Sequence, residues 1–369
     1  MMIKKLIDVS DIQYGYAFDS SKFTDDSTFL PIVRIRDVKR GFSETYYEGD
    51  YLEEYVLQTG ALLVGMDGEF NIARWKSGKA LLNQRVCKIT AKKGTNEDYL
   101  RFALSKALKD IERKTAFVTV KHLSAKELNK LELDIPDHHT QEQIATQLVK
   151  LEKILEYRKQ ELQTLDDLVK ARFVEMFGTY PKNEKGWKTG TIRDIVTEVR
   201  YGSSRKAADG NSGRYPYLRM NNITYGGELD LADTKTIDIP DEELDKCTVH
   251  RGDLLFNRTN SKELVGKTCV YNRDEIMVLA GFVVRVRLNE NALPEFVSAF
   301  MNTDFSKQML LGMCKAAIGQ ANINAQEFQN IGIYIPPIDM QKEFLIFKEQ
   351  IDKSKVVVRK KLVMYTAIY

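Results

Sequence analysis

The chain has 369 residues, 43% hydrophobic and 29% charged, with 22 glycines and 8 prolines. That balance supplies apolar material for real cores, excludes a disordered or collagen-like chain, and at this length points to two or three domains. Fifty-five basic against 52 acidic side chains leave a net charge of +3, which neither demands nor excludes nucleic acid. In chain order, Phe29 to Ile35, Ala61 to Val64 and Arg85 to Ile89 are apolar, β-branched runs that predict strands. Apolar spacing of three and four predicts a helix over Glu97 to Lys109, and a last strand ends at Ile135-Pro136. From His139 to Phe177 there is neither Pro nor Gly, and Gly178 is a plausible stop. Ile144, Leu148, Leu151, Leu155, Arg158, Leu162, Leu165, Val169, Arg172 and Met176 alternate steps of four and three, a heptad seam with two arginines in it. Such a helix would be about 58 Å long.

Strand-like runs then return at Tyr215 to Met220, Asp253 to Phe256, Thr268 to Tyr271 and Phe282 to Val286. They are followed by a helical stretch, Leu293 to Met309, and a strand ending at Ile335-Pro336. This is the first half written again. Thr115 to Ala125 matches Lys315 to Ala325, Tyr14-Gly15 matches Tyr201-Gly202, Pro31 to Ile35 matches Pro216 to Met220, and Gly60 to Val64 matches Gly252 to Phe256. Gln141 matches Gln341. A drifting offset near 190 residues means a duplicated domain with changes of loop length, not a solenoid. After Pro336-Pro337 the second copy carries its own stripe, Phe344, Phe347, Ile351, Val358, Leu362 and Tyr365, and reaches Tyr369 where the first copy is still at Val169. Its helix is therefore expected to be about eight residues shorter. An apolar stripe on a lone helix would aggregate, so the two long helices are expected to pair as an antiparallel coiled coil.

The chemistry inventory is thin. No apolar run approaches the roughly 20 residues of a membrane span; the longest, Ile276 to Val284, stops at Arg285. The start, Met1-Met2-Ile3-Lys4-Lys5, leads into no signal-peptide core. Cys87, Cys247, Cys269 and Cys314 lack a CxxC spacing and read as reduced thiols of a cytoplasmic protein, with no metal expected. His122, His138, His139 and His250 form no metalloprotease or deaminase motif. Val265-Gly266-Lys267-Thr268 resembles the end of a phosphate-binding loop, but Ser261 replaces its first glycine and a strand-like run follows. Ile335-Pro336-Pro337-Ile338 lacks the flanks of an amino-methyltransferase motif. No catalytic residues are expected. The divergent parts of the two copies are instead rich in groups suited to DNA. Copy one offers Arg34, Arg36, Lys39, Arg40, Arg74, Lys76 and Lys79. Copy two offers Arg205, Lys206, Arg219, Asn221, Asn222, Asn257, Arg258, Asn260 and Lys262. Arg can fork onto guanine, Asn onto adenine, and Lys onto phosphate.

At Arg172 to Gly178, at Pro181 to Trp187, at Ile135-Pro136 with Gln141, at Ile335-Pro336 with Gln341, and at Gly252 to Leu255, the chain resembles the specificity subunit of type I restriction–modification systems. The resemblance runs the length of the chain. It implies an α/β (α+β) fold with two target-recognition domains, residues 1–137 and 179–337, and two conserved helices, 138–178 and 338–369, paired as an antiparallel coiled coil. It implies a subunit without catalysis of its own, each domain reading one half of a split double-stranded DNA target. The helices would set the spacing and dock two methyltransferase (modification) subunits, with Arg172, Phe173 and Phe177 as candidate docking residues. S-adenosylmethionine, ATP and Mg would belong to the methyltransferase and restriction partners, none to this chain. A coiled-coil scaffold or silent variant without DNA binding, and a self-contained nucleic-acid enzyme, are the competing readings.

Overall fold

The structure, a computed structural model, describes residues 2–68, 70–114, 122–208, 210, 212–314 and 320–368. The repeat matches at Thr115–Lys121 and Lys315–Gly319 lie outside the described residues. Two compact units divide the chain, Met1–Glu156 with Tyr365–Tyr369, and Tyr157–Met364.

Each unit is built on the same strand plan. In the first, an antiparallel sheet runs in the order Ser10–Tyr14, Val86–Ala91, Leu62–Gly65, Ile72–Arg74. In the second, the order is Val196–Tyr201, Val283–Leu288, Leu254–Asn257, Thr268–Val270. A second sheet in each contains one parallel pair, Leu30–Val33 with Ala80–Leu82 and Tyr215–Leu218 with Met277–Leu279. The duplicated Tyr-Gly pair has a steric cause. A Cβ on Gly15 would lie 2.0 Å from the Asn83 carbonyl oxygen, and one on Gly202 would lie 2.4 Å from that of Ala280. Only glycine lets the backbones approach so closely.

The predicted runs need three corrections. Ile35 leaves its strand and opens the helix Ile35–Arg40, whose start is held by the Asp37 carboxylate accepting from the Arg34 N–H at 3.0 Å. The helix Glu97–Lys114 runs past Lys109, with Leu100, Leu104 and Leu108 buried at steps of four. The stretch Leu293–Met309 is two helices, Pro294–Met301 and Asp304–Met313. Its apolar periodicity spans the break, but Thr303 caps the second helix through its hydroxyl and interrupts the first.

The duplicated glutamine also has a physical reason. Gln141 is buried, accepts from the Asn96 N–H at 2.8 Å, and donates to the Pro136 carbonyl at 2.8 Å. Gln341 is buried likewise, accepting from the Leu293 N–H at 2.8 Å and donating to Pro336 and Asn291. One amide thus ties the start of each long helix to the residue entering the Glu97–Lys114 or the Pro294–Met301 helix, satisfying backbone groups that burial would leave unpaired.

The long helices are His138–Phe177 and Ile338–Ile368, and Gly178 ends the first with φ +80°. In the second unit they pack antiparallel, Phe173 against Phe344 at 5.4 Å between ring centres and Arg172 on Glu343 at 3.1 Å, with Lys355 on Asp166 further along. Lys355 fills the gap between Ile351 and Val358 in the apolar stripe and is buried. A buried cation with its acceptor opposite fixes the register of a helix pair more strictly than leucine would. Its pKa is raised, since the Asp166 hydrogen bond and charge outweigh the burial that opposes them. At the other end of the seam, Ile144 is exposed and Ala145 turns inward instead.

Candidate nucleic-acid interface

Five of the sequence-predicted residues of copy two meet at one place. Arg205, Lys206, Arg219, Asn221 and Arg258 line a concave hollow of about 590 Å³ floored by Tyr217 and Ala280 and edged by Phe282. Two turns build it: one follows the Val196–Tyr201 strand, pinned by the close approach at Gly202, and the other follows Tyr215–Leu218. Arg258 is held at its backbone, where its N–H donates to the Phe282 carbonyl at 3.0 Å and its carbonyl accepts from the Ile323 N–H at 2.8 Å. Its guanidinium lies 4.9 Å over the Tyr201 ring, and its Nε has no hydrogen-bond partner. A cation parked on an aromatic face is positioned by the ring, with no carboxylate needed to hold it. Tyr201 and Phe282 are about half exposed.

The other two arginines of the hollow are tethered. Arg205 forks onto Glu243 at 2.7 and 3.2 Å; that contact raises the guanidinium pKa and lowers the carboxyl's. Arg219 reaches the Asp233 carboxylate and carbonyl, each at 3.0 Å. Both pairs lie at the surface, where exchange of a carboxylate for a phosphate costs little. Lys206, Asn221 and Lys262 are exposed.

Three predicted readers hydrogen-bond within the fold. Asn257 is fully buried, donating to the Thr259 and Phe282 carbonyls and accepting from Asn260 at 2.9 Å. Asn260 spends its remaining oxygen on the Ser261 N–H. Asn222 is buried, accepts from the Arg219 N–H and donates to the Asp230 carbonyl. These amides replace missing ladder partners in irregular backbone, and burial leaves Asn222 and Asn257 nothing for a base.

In copy one, Arg34, Arg36, Lys39 and Arg40 stand at or on the short helix Ile35–Arg40, and the Lys76 stem lies against Gly41 just past its end. Arg36, Lys39, Arg40, Lys76 and Lys79 are exposed. Arg40 pairs with Glu44 at 2.8 Å and covers the Phe42 ring. Arg74 stands apart from this group: it is half-buried, bonded to Glu97, Asp98 and the Gly60 carbonyl, and so joins the sheet to the Glu97–Lys114 helix. Burial works against its charge, but the two carboxylates outweigh it and raise its pKa.

Phe173 and Phe177 are buried in the second unit's core, where Phe173 stacks on Phe296 at 5.5 Å and Phe177 meets Phe296 at 4.9 Å. They cannot present a docking surface. Arg172 is engaged by Glu175 and Glu343. The apolar residues that the second helix does expose, missed in the sequence, are Ile346, Val356, Val357, Val363 and Met364. Also missed were Tyr201 and Phe282; the duplicated Tyr-Gly pair was the one available signal for Tyr201. Among the described residues no group of His, Cys, Asp and Glu could hold a metal, and no helix is long and apolar enough to cross a membrane.

A family profile described as the type I restriction modification DNA specificity domain matches residues 1–166 and 184–362. The type I restriction enzyme EcoBI specificity subunit of Escherichia coli is 28% identical over 373 residues, covering 93% of this chain and 77% of that one. The S subunit of a type I restriction–modification system from M. genitalium superposes with a TM-score of 0.54 at 12% identity, over 100% of this chain and 93% of that one. A chain from a structure concerned with complex assembly and conformational transition of a type I system gives a TM-score of 0.56 at 14% identity, over 99% and 93%. These two likenesses speak to the fold.

Proposed function

This chain belongs to the type I restriction–modification DNA specificity family and is a non-catalytic specificity subunit that assembles with other subunits and with DNA, and from that premise we propose that its two copies read separate halves of one split target. The observation that carries the proposal is the pairing of a repeated strand plan with unlike surfaces. The strands of the main four-stranded sheets match one for one, whereas the hollow around Arg258 and the helix around Arg36 and Arg40 present different groups. Shared scaffold and divergent reading groups are what two readers of different sequences require.

In copy two, Arg258 makes the base contact, with Lys206, Lys262 and the tethered Arg205 and Arg219 on phosphates. Arg36, Lys39, Arg40, Lys76 and Lys79 serve copy one. The paired helices fix the gap between half-sites, as a rigid spacer between two readers must, and joining two weak readers raises affinity through effective concentration. The exposed stripe from Ile346 to Met364 supports docking of methyltransferase subunits on the second helix. Those two subunits carry S-adenosylmethionine and methylate adenine, and a restriction subunit with ATP and Mg cleaves, all in the cytoplasm; this chain holds no cofactor. The test is a gel shift with the purified chain, with and without its methyltransferase partner. Sequence-specific binding that strengthens with the partner is expected; no binding under either condition would leave a scaffold without DNA recognition.

A further inference from the structure

A second hollow, of about 300 Å³, lies inside the second unit and shares no lining residue with the one around Arg258. Asp166 and Lys170 of the first long helix, Tyr225 and Glu228 of a turn, Lys307, and Lys348 of the second long helix contribute to its wall. The carboxylates around it are already taken. Asp166 holds Lys355, Asp304 holds Lys170 at 3.2 Å, Glu228 holds Arg359, and Asp352 holds Lys348.

Lys307 is left over. Its Nζ is buried and has no hydrogen-bond partner, and the Tyr225 ring lies 4.6 Å away. Lys267, a further cation near it, spends its own ammonium on the Met220 carbonyl at 2.7 Å. Burial, with Lys170 and Lys267 adding to it, pushes the Lys307 pKa down to about 8, so at neutral pH the group still carries its charge. A buried ammonium needs an acceptor, and a ring face supplies attraction without accepting its N–H bonds in full. A water molecule takes about 30 Å³, so a hollow of this size has room for a tetrahedral anion and its hydration.

We propose that this hollow binds a small tetrahedral oxyanion of the inorganic phosphate class, received by Lys307 beside Lys170 and the Tyr225 edge. Bound there, the anion joins the Asp304–Met313 helix, the Tyr225 turn and both long helices, and so stiffens the second unit. The oxyanion has two possible sources, free phosphate and the phosphate of a bound nucleic acid.

The test uses the full chain. Sodium phosphate is titrated calorimetrically against sodium chloride of equal ionic strength, and thermal unfolding is followed in both. Saturable binding of one phosphate is expected, with a phosphate-specific rise in Tm. Lys307→Met should weaken binding at least tenfold and abolish that rise, while Lys307→Arg keeps both. Lys307→Gln is read by the same criteria, so a misfolded methionine variant does not remove the test. Competition by duplex DNA, lost in the Lys307 variants, would assign the site to a DNA phosphate, and saturable binding without competition would assign it to the free anion. A wild-type response to phosphate no larger than that of the Lys307→Met and Lys307→Gln chains, in titration and in Tm, would overturn the proposal. Because free phosphate is read without a DNA target, this result is independent of whether the two copies recognise half-sites.

Discussion

Phe173→Ala separates a core ring from a docking ring. The side chain is 1% exposed and touches Phe177, Phe296, Phe300 and Phe344 at centroid distances of 4.9 to 6.5 Å. Truncating a buried phenylalanine costs about 3–5 kcal/mol, and the upper half of that range applies because the ring packs against four others, each favourable pair adding about 0.5–1.5 kcal/mol. The chain has 2 tryptophans. Trp75 is buried in the first unit, and Trp187 packs beside Phe177 in the second and donates to its carbonyl at 3.1 Å. In a Trp75→Phe background, fluorescence during urea unfolding therefore reports on the second unit alone. With a slope of about 2–3 kcal/mol per molar urea, the midpoint should fall by roughly 1.3–2.5 M. A fall below about 0.3 M, together with weakened methyltransferase binding, would refute the reasoning and return the ring to the docking surface.

Val363→Asp should do the opposite, leaving the unfolding free energy within about 0.5 kcal/mol of wild type while weakening methyltransferase capture in a pull-down, since Val363 is 71% exposed. Asn257→Ala should lower stability by about 1–3 kcal/mol, because the Thr259 carbonyl loses the amide donor and the Phe282 carbonyl keeps only the Arg258 N–H; a change of DNA specificity at unchanged stability would contradict its structural role. Gln341→Leu should cost a similar amount and raise hydrogen exchange at Leu293, whose N–H it satisfies. Unaltered protection of that amide would show the tie to be dispensable.

Much of the architecture was legible because duplication repeats the same steric demands. Gly15 and Gly202 recur where a Cβ would strike a carbonyl, and Gln141 and Gln341 recur where buried backbone groups need an amide. Gly178 marked a helix end because its φ of +80° favours glycine. What failed to show has equally local causes. The apolar spacing of Leu293–Met309 runs through a break imposed by the Thr303 cap, a signal present but outweighed by periodicity. Asn222 and Asn257 have the right chemistry for adenine, but burial spends it on backbone, and composition cannot distinguish the two uses. Phe173 and Phe177 extend beyond the heptad seam and so looked available, until the Pro294–Met301 helix covered them. Lys355 was passed over as a charge in an apolar stripe, although Asp166 opposite makes it part of the packing.

The most direct measurement is the methylated motif in cells expressing this chain with its methyltransferase subunit, mapped for wild type and for Arg258→Ala. A motif in two parts across a fixed gap is expected, and the variant should relax one part alone, by about 5- to 150-fold for the roughly 1–3 kcal/mol that a forked base contact supplies. An unbroken motif, or equal relaxation of both parts, would contradict two separate readers on one chain.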